Sequence, residues 1–522
     1  MASIRRASAL LSSGARLASG ARHRQFGTIK DGLVVGMYAS HKLSDAQLPQ
    51  ALQDKIRDEA QAVGNKADAG SVQLVLSSDL AQHIAVVGLG SEGGEAGTSE
   101  VVRTAVANGI KQLKAKNIAS IRVGAMPCAH AAGEAASLAA YSFTAFKTQK
   151  AADDSSGRPL SISSADEGSE WRAGQIYADA QNFARELMAT PANFMTPSIF
   201  AQRVQDELGA LPGVRVNVYD EQWAREQRMG GLLAVSRGSD EPLRFVEIVY
   251  RGKSKDASPA LALVGKGITF DTGGYSLKLG KNMDLMKGDM GGGAAVVAAM
   301  RAIAQLALAV DVVATVPLCE NMVSGRATKV SDVYTSRAGL TVEVMNTDAE
   351  GRVVLGDALH YTVDAHRPRT VVDVATLTGA MVVALGDVYT GVFTPSPALW
   401  QGIAAAARAT DEPVWRMPLH DRWDAMLASP VADLSNIGGK GDAGACTAAA
   451  FLRRFVDRPR PAPCAIMREQ NSEDDEATPR WAHLDIAGPM ESASDEGYHH
   501  RGMSGRPTRL LIELARQMAS KD

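Results

Sequence analysis

Val264-Gly265-Lys266-Gly267-Ile268-Thr269-Phe270-Asp271-Thr272-Gly273-Gly274 leaves an apolar run, carries a lysine and an acid, and enters a glycine turn. The run it leaves, Leu261–Ile268, is almost continuously apolar, as are Val310–Leu318, Thr341–Val344 and Thr370–Leu377. Such runs read as strands covered on both faces, the habit of parallel sheets. Ala-rich helical stretches, Gly292–Leu308 and Val353–Val363, lie between them. Strand and helix alternating in this way predicts an α/β domain built on a central, mostly parallel (mixed) sheet covered by helices.

The same logic extends towards the N-terminus on a smaller scale. Leu33–Tyr38, Val72–Ser77, His83–Leu89 and Ile121–Ala125 are short β-branched runs between turn signals, and Ser99–Lys116 has helical spacing. Thr148–Ser169 is rich in Lys, Asp, Ser, Gly and Glu and reads as an exposed loop or hairpin. Trp171–Ala189 returns to helix period and stops at Thr190-Pro191. The expected organisation is a basic tail at 1–30, a smaller N-terminal α/β domain at 31–170, an interdomain helix and linker at 171–197, and a larger C-terminal α/β domain at 198–522. Pro459-Arg460-Pro461 and the acidic Glu469–Glu476 read as a surface excursion.

Charge is unevenly spread. The 522 residues carry 55 Lys+Arg against 58 Asp+Glu, a formal net charge of −3. Residues 1–30 hold Arg5, Arg6, Arg16, Arg22, Arg24 and Lys30 and no acid. That Arg- and Ser-rich composition, without an apolar centre, resembles a transit peptide for the mitochondrion; a basic tail on a cytoplasmic protein is the alternative. Without it, 49 basic residues face 58 acidic ones, a net charge of −9. An acidic body argues against nucleic acid as partner, since phosphate binding needs clustered cations. No uninterrupted apolar run reaches 18 residues, because Arg301 and Gln305 break Gly291–Leu308, so no membrane span is expected. Cys128, Cys319, Cys446 and Cys464 show no C-x-x-C spacing.

Several familiar chemistries lack their signals. Gly88-Leu89-Gly90-Ser91-Glu92-Gly93 matches a dinucleotide pattern, but no acid follows the next strand; a glycine-rich strand-to-helix turn is the better reading. There is no H-E-x-x-H helix and no G-x-S-x-G elbow. Carboxylates remain. Besides Asp271, Met286-Lys287-Gly288-Asp289-Met290-Gly291-Gly292-Gly293 puts an acid before an Ala-rich helix, and Met345-Asn346-Thr347-Asp348-Ala349-Glu350-Gly351-Arg352 follows an apolar run. In an extended segment Asp348, Glu350 and Arg352 would share one face. Taken singly, Asp289 and Asp348 could be helix caps and Lys266 a solvated lysine. Taken together, four acids at the carboxyl ends of α/β strands would repel one another unless cations held them, and two divalent metals about 3.5–4 Å apart are the usual solution.

Asn346-Thr347-Asp348-Ala349-Glu350-Gly351-Arg352 resembles the signature of the leucyl (cytosol) aminopeptidases, a family of two-metal exopeptidases. Val264–Gly274 with Lys278, Met283–Gly292, Ala375–Ala380, Trp481–Gly488 and Gly502–Pro507 agree in order, and Thr190–Asn193 with Thr196-Pro197 resembles the family's interdomain segment. The likeness covers about residues 180–512 by motif, and 31–170 by pattern alone. It implies an aminopeptidase releasing N-terminal residues, leucine preferred with breadth, through a water activated by two divalent ions (Zn²⁺ and/or Mn²⁺). Asp271 and Glu350 would bridge the metals, Asp348 would complete one site, and Lys266 and Asp289 the other, with Lys266 deprotonated by its metal. Lys278 would stabilise the oxyanion, and Arg352 would hold a bicarbonate acting as general base. Met286, Thr376, Leu377, Gly379, Ala487 and Met490 would line the pocket for the first side chain. The family's homohexamer is implied as well. Competing readings are an architectural, nucleic-acid-associated hexamer and a two-metal phosphoesterase; the acidic body speaks against the first and the lack of His-rich ligation against the second.

Overall fold

The computed structural model describes residues 31–77, 82–93, 99–148, 160–252, 258–438, 441–456 and 478–520. The basic tail and the excursion around Pro459–Pro461 and Glu469–Glu476 lie outside the described residues, as does most of the loop expected after Thr148. The chain divides into two compact units, 1–179 with 494–500, and 180–493 with 501–522.

In the first unit β1 (Asp31–Met37), β2 (Val72–Ser77), β3 (Gln82–Gly88), β4 (Ser120–Val123) and β5 (Ser161–Ser164) form a sheet of order β2-β3-β1-β4-β5. β1 runs parallel to both β3 and β4, and only β2 is antiparallel. The expected strand–helix–strand unit is therefore present, with β1 inserted between its two strands. Successive side chains of β1 serve two cores. Leu33, Val35 and Met37 pack with Leu52 and Ile56 of the helix Gln50–Ala62, while Val34 packs with Val102 and Val106 of the helix Ser99–Lys114. Two covered faces explain why β1 reads as continuously apolar. The glycine turn after β3 is a packing device: a Cβ at Gly88 would sit 2.0 Å from the Asp68 carbonyl oxygen. Part of Thr148–Ser169, expected as loop or hairpin, is the edge strand β5.

The second unit is built on a nine-stranded sheet with smaller sheets beside it, and its strands follow in chain order. They include β6 (Val214–Tyr219), β7 (Arg244–Tyr250), β8 (Leu261–Gly265), β9 (Gly267–Asp271) and β10 (Val312–Asn321). Beyond the small strands β11 (Val333–Thr335) and β12 (Thr341–Glu343) come β13 (Thr370–Ala375), β14 (Thr390–Phe393) and β15 (Val414–Met417), then β16 (Leu434–Ser435) and β17 (Arg480–Asp485). The main order is β15-β14-β17-β13-β8-β10-β7-β6, with β9 also on β10. The centre, β17-β13-β8-β10, is parallel, and antiparallel pairings flank it on both sides. The sheet is mixed, as expected.

Two details differ from the sequence reading. Leu261–Ile268 is not one strand: it breaks at Lys266, whose N–H donates to the Val374 carbonyl (3.0 Å) while its carbonyl accepts from the Gly293 N–H (2.7 Å). Gly265 allows the break, since a Cβ there would lie 2.6 Å from Gly293 Cα at the start of the helix Gly291–Gln305. Thr341–Val344 was expected in the covered sheet. Its strand β12 instead belongs to a separate three-stranded sheet with β11 and β16. An apolar run of three or four residues reports burial without saying in which sheet.

Candidate metal centre

The sheet ends place the acids. Asp271 closes β9, Asp289 precedes the helix Gly291–Gln305, and Glu350 opens the helix Glu350–His366. Capping does not explain them: the cap residues of these helices are Met290 and Ala349, neither with a side-chain cap bond. Nor is Lys266 a solvated lysine, for it is 3% exposed. Its Nζ lies 2.7 Å from Asp289 Oδ2 and 2.8 Å from Glu350 Oε1, and donates to the Thr376 carbonyl at 3.1 Å. Lys278 Nζ lies 2.8 Å from Asp271 Oδ2 and 2.5 Å from Asp348 Oδ1. The two lysines and four acids thus form one continuous cluster.

Hydrogen bonds hold its frame. The Asp271 Oδ1 atom accepts from the Gly273 N–H and from Asn321 Nδ2, both at 2.8 Å, and Asn321 Nδ2 also donates to the Thr347 carbonyl at 3.0 Å. Thr347 donates to the Gly273 carbonyl (2.6 Å) and accepts from the Ser276 N–H (2.7 Å), so the loop bearing Lys278 is tied to the loop bearing Asp348. Gly273, at φ 84°, is required: a Cβ there would stand 2.7 Å from Asp348 Oδ1. Asn436, fully buried, accepts from the Met345 and Asn346 N–H groups and donates to the Asn346 carbonyl at 2.7 Å. Its own carbonyl accepts from Arg352 Nη1 at 3.0 Å. Asn321 and Asn436 were not singled out from sequence, because a lone asparagine at a strand end has no pattern.

Arg352 does not lie on an extended face with Asp348 and Glu350, as the spacing had suggested, because the helix begins at Glu350. It is nonetheless buried beside the cluster, and its Nε has no hydrogen-bond partner. Burial draws its pKa down to about 10, against the pull of Glu350 and Asp485.

The electrostatics are those of a cluster short of positive charge. Burial alone would strip the proton from Lys266, but Asp289, Glu350 and Asp271 outweigh it and hold the ammonium above its usual range. Lys278 is held high against burial by Asp271 and Asp348. Burial, with Asp271 and Asp289 beside it, pushes Glu350 up although Lys266 pulls the other way. Asp289 and Asp348 are raised by burial too. Asp289 Oδ2, Asp348 Oδ1 and Glu350 Oε1 are buried and meet no donor but a lysine ammonium, and Glu350 Oε2 is buried and meets none. Oxygens of Asp271, Asp348 and Glu350 come within 4.8 Å of one another. Orphaned buried carboxylate oxygens are costly unless they have a purpose, and hard divalent cations are their natural partners.

Of the residues expected to line the substrate pocket, one touches this centre directly. Thr376 donates to Asp289 Oδ1 at 2.7 Å. Leu377 and Ala487 are half-buried and Gly379 is exposed, with open space where a Cβ would be. Met286 is half-buried in the 3₁₀ turn Met283–Gly288 and Met490 is buried. A Cβ on Gly288 would meet Met490 Cε at 2.8 Å and Met503 Cε at 2.6 Å, so the glycine admits both methionines.

Buried, cation-deficient carboxylates at the carboxyl edge of a parallel sheet make this an α/β enzyme equipped to hold metal ions. The catalytic domain of the cytosol aminopeptidase family matches residues 182–512 and that family's N-terminal domain matches 34–150. Cytosol aminopeptidases from Xenopus tropicalis (39% identical, over 95% of this chain and 94% of the relative) and Dictyostelium discoideum (41%, over 93% and 92%) are among the similar proteins. Two solved structures of the bottromycin maturation enzyme BotP, one of them in complex with Mn, are similar at TM-score 0.79 and 32% identity. They cover 94% of this chain and 100% and 99% of theirs. The chain belongs to the cytosol aminopeptidase family. It is thus a metallopeptidase acting on the N-termini of peptides. Among the described residues no helix is long and apolar enough to cross a membrane.

Proposed function

We propose a broad, leucine-preferring aminopeptidase that works with two divalent cations, Zn²⁺ or Mn²⁺, per chain. The observation that supports it most is the set of buried carboxylate oxygens at Asp289, Asp348 and Glu350 that meet no donor but a lysine ammonium, with Glu350 Oε2 meeting none. Asp271 and Glu350 would be shared between the two ions, Asp348 would serve one, and Lys266, as a neutral amine, would join Asp289 at the other. Ions so held supply Lewis-acid polarisation of the scissile carbonyl and an acidified water.

The chain's own groups supply the rest. Lys278, charged and partly exposed, donates to the carbonyl oxygen as negative charge develops there. Asp289 faces the free α-amine of the substrate, which an internal peptide bond lacks, and so restricts cleavage to the N-terminus. Arg352, with its unpartnered Nε, would hold a bicarbonate, which would supply the general base that no histidine among these residues provides. Met286, Thr376, Leu377, Gly379, Ala487 and Met490 receive the first side chain, and pliant methionines suit a medium apolar group with tolerance for others.

The test is hydrolysis of a leucine chromogenic amide by protein stripped of metal and then reloaded with Mn²⁺ or Zn²⁺. Activity should follow metal up to two ions per chain and be lost in Asp348→Asn; full activity in rigorously metal-free protein would overturn the reading. A homohexamer is proposed as the assembled form, to be checked by sedimentation of the loaded protein. Residues 1–30 are proposed as a mitochondrial address, which the N-terminal residue of protein isolated from its native cell would settle: an intact Met1 or Ala2 in the cytosol refutes it. Domain limits at 31–170, 171–197 and 198–522 are proposed for separate expression.

A further inference from the structure

Asp485 ends β17 wholly buried, beside Ala375 of β13 and Gly391 of β14. Its carboxylate joins two loops. Oδ1 accepts from the Leu377 N–H at 3.3 Å and from the Ala487 N–H at 3.2 Å, and Oδ2 accepts from Thr378 Oγ1 at 2.7 Å. Thr378 in turn caps the helix Gly379–Leu385 by accepting from the Met381 N–H at 3.1 Å. The loops so tied, 376–379 and 486–490, carry Thr376, Leu377 and Gly379 on one side and Ala487 and Met490 on the other. A buried charge is costly to keep; His483 and Arg352 pull in its favour, and its hydrogen bonds go to main-chain and hydroxyl donors.

The packing around the pocket shows why a tie is needed. Met490 and Met503 meet at Gly288, and methionine, with three rotatable bonds, adapts its shape to whatever fills the space beside it. Such a wall does not set a dimension. The distance between the two loops is set instead where their backbones are bound to a common anchor.

We propose that Asp485 is a positioning residue that fixes the spacing of the two loops and thereby the enzyme's preference among first side chains of different size. This rests on the reading of the six residues above as the first-side-chain pocket. Asp485 touches neither substrate nor metal; it acts through Leu377, Thr378 and Ala487.

The test uses full-length, metal-loaded enzyme and the chromogenic amides of leucine, alanine and phenylalanine. In Asp485→Ala the leucine-over-alanine ratio of kcat/KM should fall by about tenfold, the scale on which pockets discriminate by methylene groups. The loss should lie mainly in KM, with two metals per chain retained. Asp485→Asn keeps an oxygen for the two N–H groups, and Thr378 can turn its hydroxyl to accept from the new amide, so its ratios should stay within about twofold of wild type. Thr378→Val should move the ratio in the same direction as Asp485→Ala, and Thr378→Ser should restore it; this pair carries the test if Asp485→Ala fails to fold. A uniform slowing on all three amides overturns the inference, and so does an Asp485→Asn as altered as Asp485→Ala. Met490→Ala separates the two ideas. If it shifts the ratio and Asp485→Ala does not, only the positioning role fails; if Met490→Ala shifts nothing, the pocket assignment fails and the inference with it.

Discussion

Two buried glutamates in the second unit are treated in opposite ways. Glu247, on β7, accepts from Asn217 Nδ2 (2.7 Å) and Tyr219 Oη (3.4 Å) at one oxygen, and from Tyr361 Oη (2.8 Å) at the other, which also lies 2.8 Å from His366 Nε2. Aromatic rings close the corner, with Tyr219 stacked on Trp223 at 4.0 Å between centroids. Burial opposes its charge, but these hydrogen bonds outweigh burial and hold the carboxyl down at about 2. Glu350 has comparable burial, the Lys266 ammonium at Oε1 and no donor at Oε2, and it is pushed up. The same side chain is a finished structural element in one place and an unfinished one in the other. What Glu350 lacks in donors is what a cation would provide, and a site left unsatisfied in this way trades stability for function.

The largest effect should come from the unfinished glutamate. Glu350→Gln removes a charge from a cluster that has too many of one sign, so the metal-free protein should melt no lower than wild type. Its hydrolysis of a leucine amide should fall by about a thousandfold or more, as for other groups that act as a unit. A variant that lost stability and activity in parallel would erase the contrast with Glu247. Next in size is Lys278→Ala. Loss of one preorganised donor to a developing oxyanion costs about 10²–10³ in kcat, and KM should change little. An equal rise in KM would mark Lys278 as a ground-state binder.

Much of this contrast was legible in sequence, on one side only. Asp271, Asp289, Asp348 and Glu350 stand out because each interrupts the passage from an apolar run or a glycine turn to a helix, where a charge has no packing role. Glu247 sits inside Phe245-Val246-Glu247-Ile248-Val249, and nothing local shows that Asn217 from one segment and Tyr361 and His366 from another will arrive to meet it. Asn321, Asn436 and Asp485 escaped notice for the same reason: their partners are distant in the chain. The parallel centre of the sheet was readable because two covered faces impose continuous apolarity, whereas strand direction at the flanks leaves no mark on composition. The placement of β12 in its own small sheet was likewise hidden.

A smaller effect separates the frame from the acids it holds. Asn321→Ala removes the link between Asp271 and the Thr347 carbonyl without touching charge. Partners that orient metal ligands typically account for about 10–100-fold in metal affinity, so the midpoint of a metal titration should move by that amount while the activity at saturating metal recovers. Activity that stayed low at saturation would show that Asn321 does more than aim Asp271.

The finished glutamate gives the smallest and most specific test. Hydrogen bonds to a charged group contribute about 1.5–3 kcal/mol, and Glu247→Gln should weaken folding at neutral pH by an amount in or below that range, leaving aminopeptidase activity intact. The pH dependence has a definite sign. Because the folded carboxyl titrates near 2, below its ordinary value of 4.5, its contribution is fully present above that ordinary value and disappears as pH falls through the folded one. The gap in melting temperature between wild type and Glu247→Gln should therefore close as pH falls from about 4 to 2. A gap that persisted unchanged at the acid end would mean that shape rather than charge secures this corner, and the two glutamates would differ in less than their hydrogen bonds suggest.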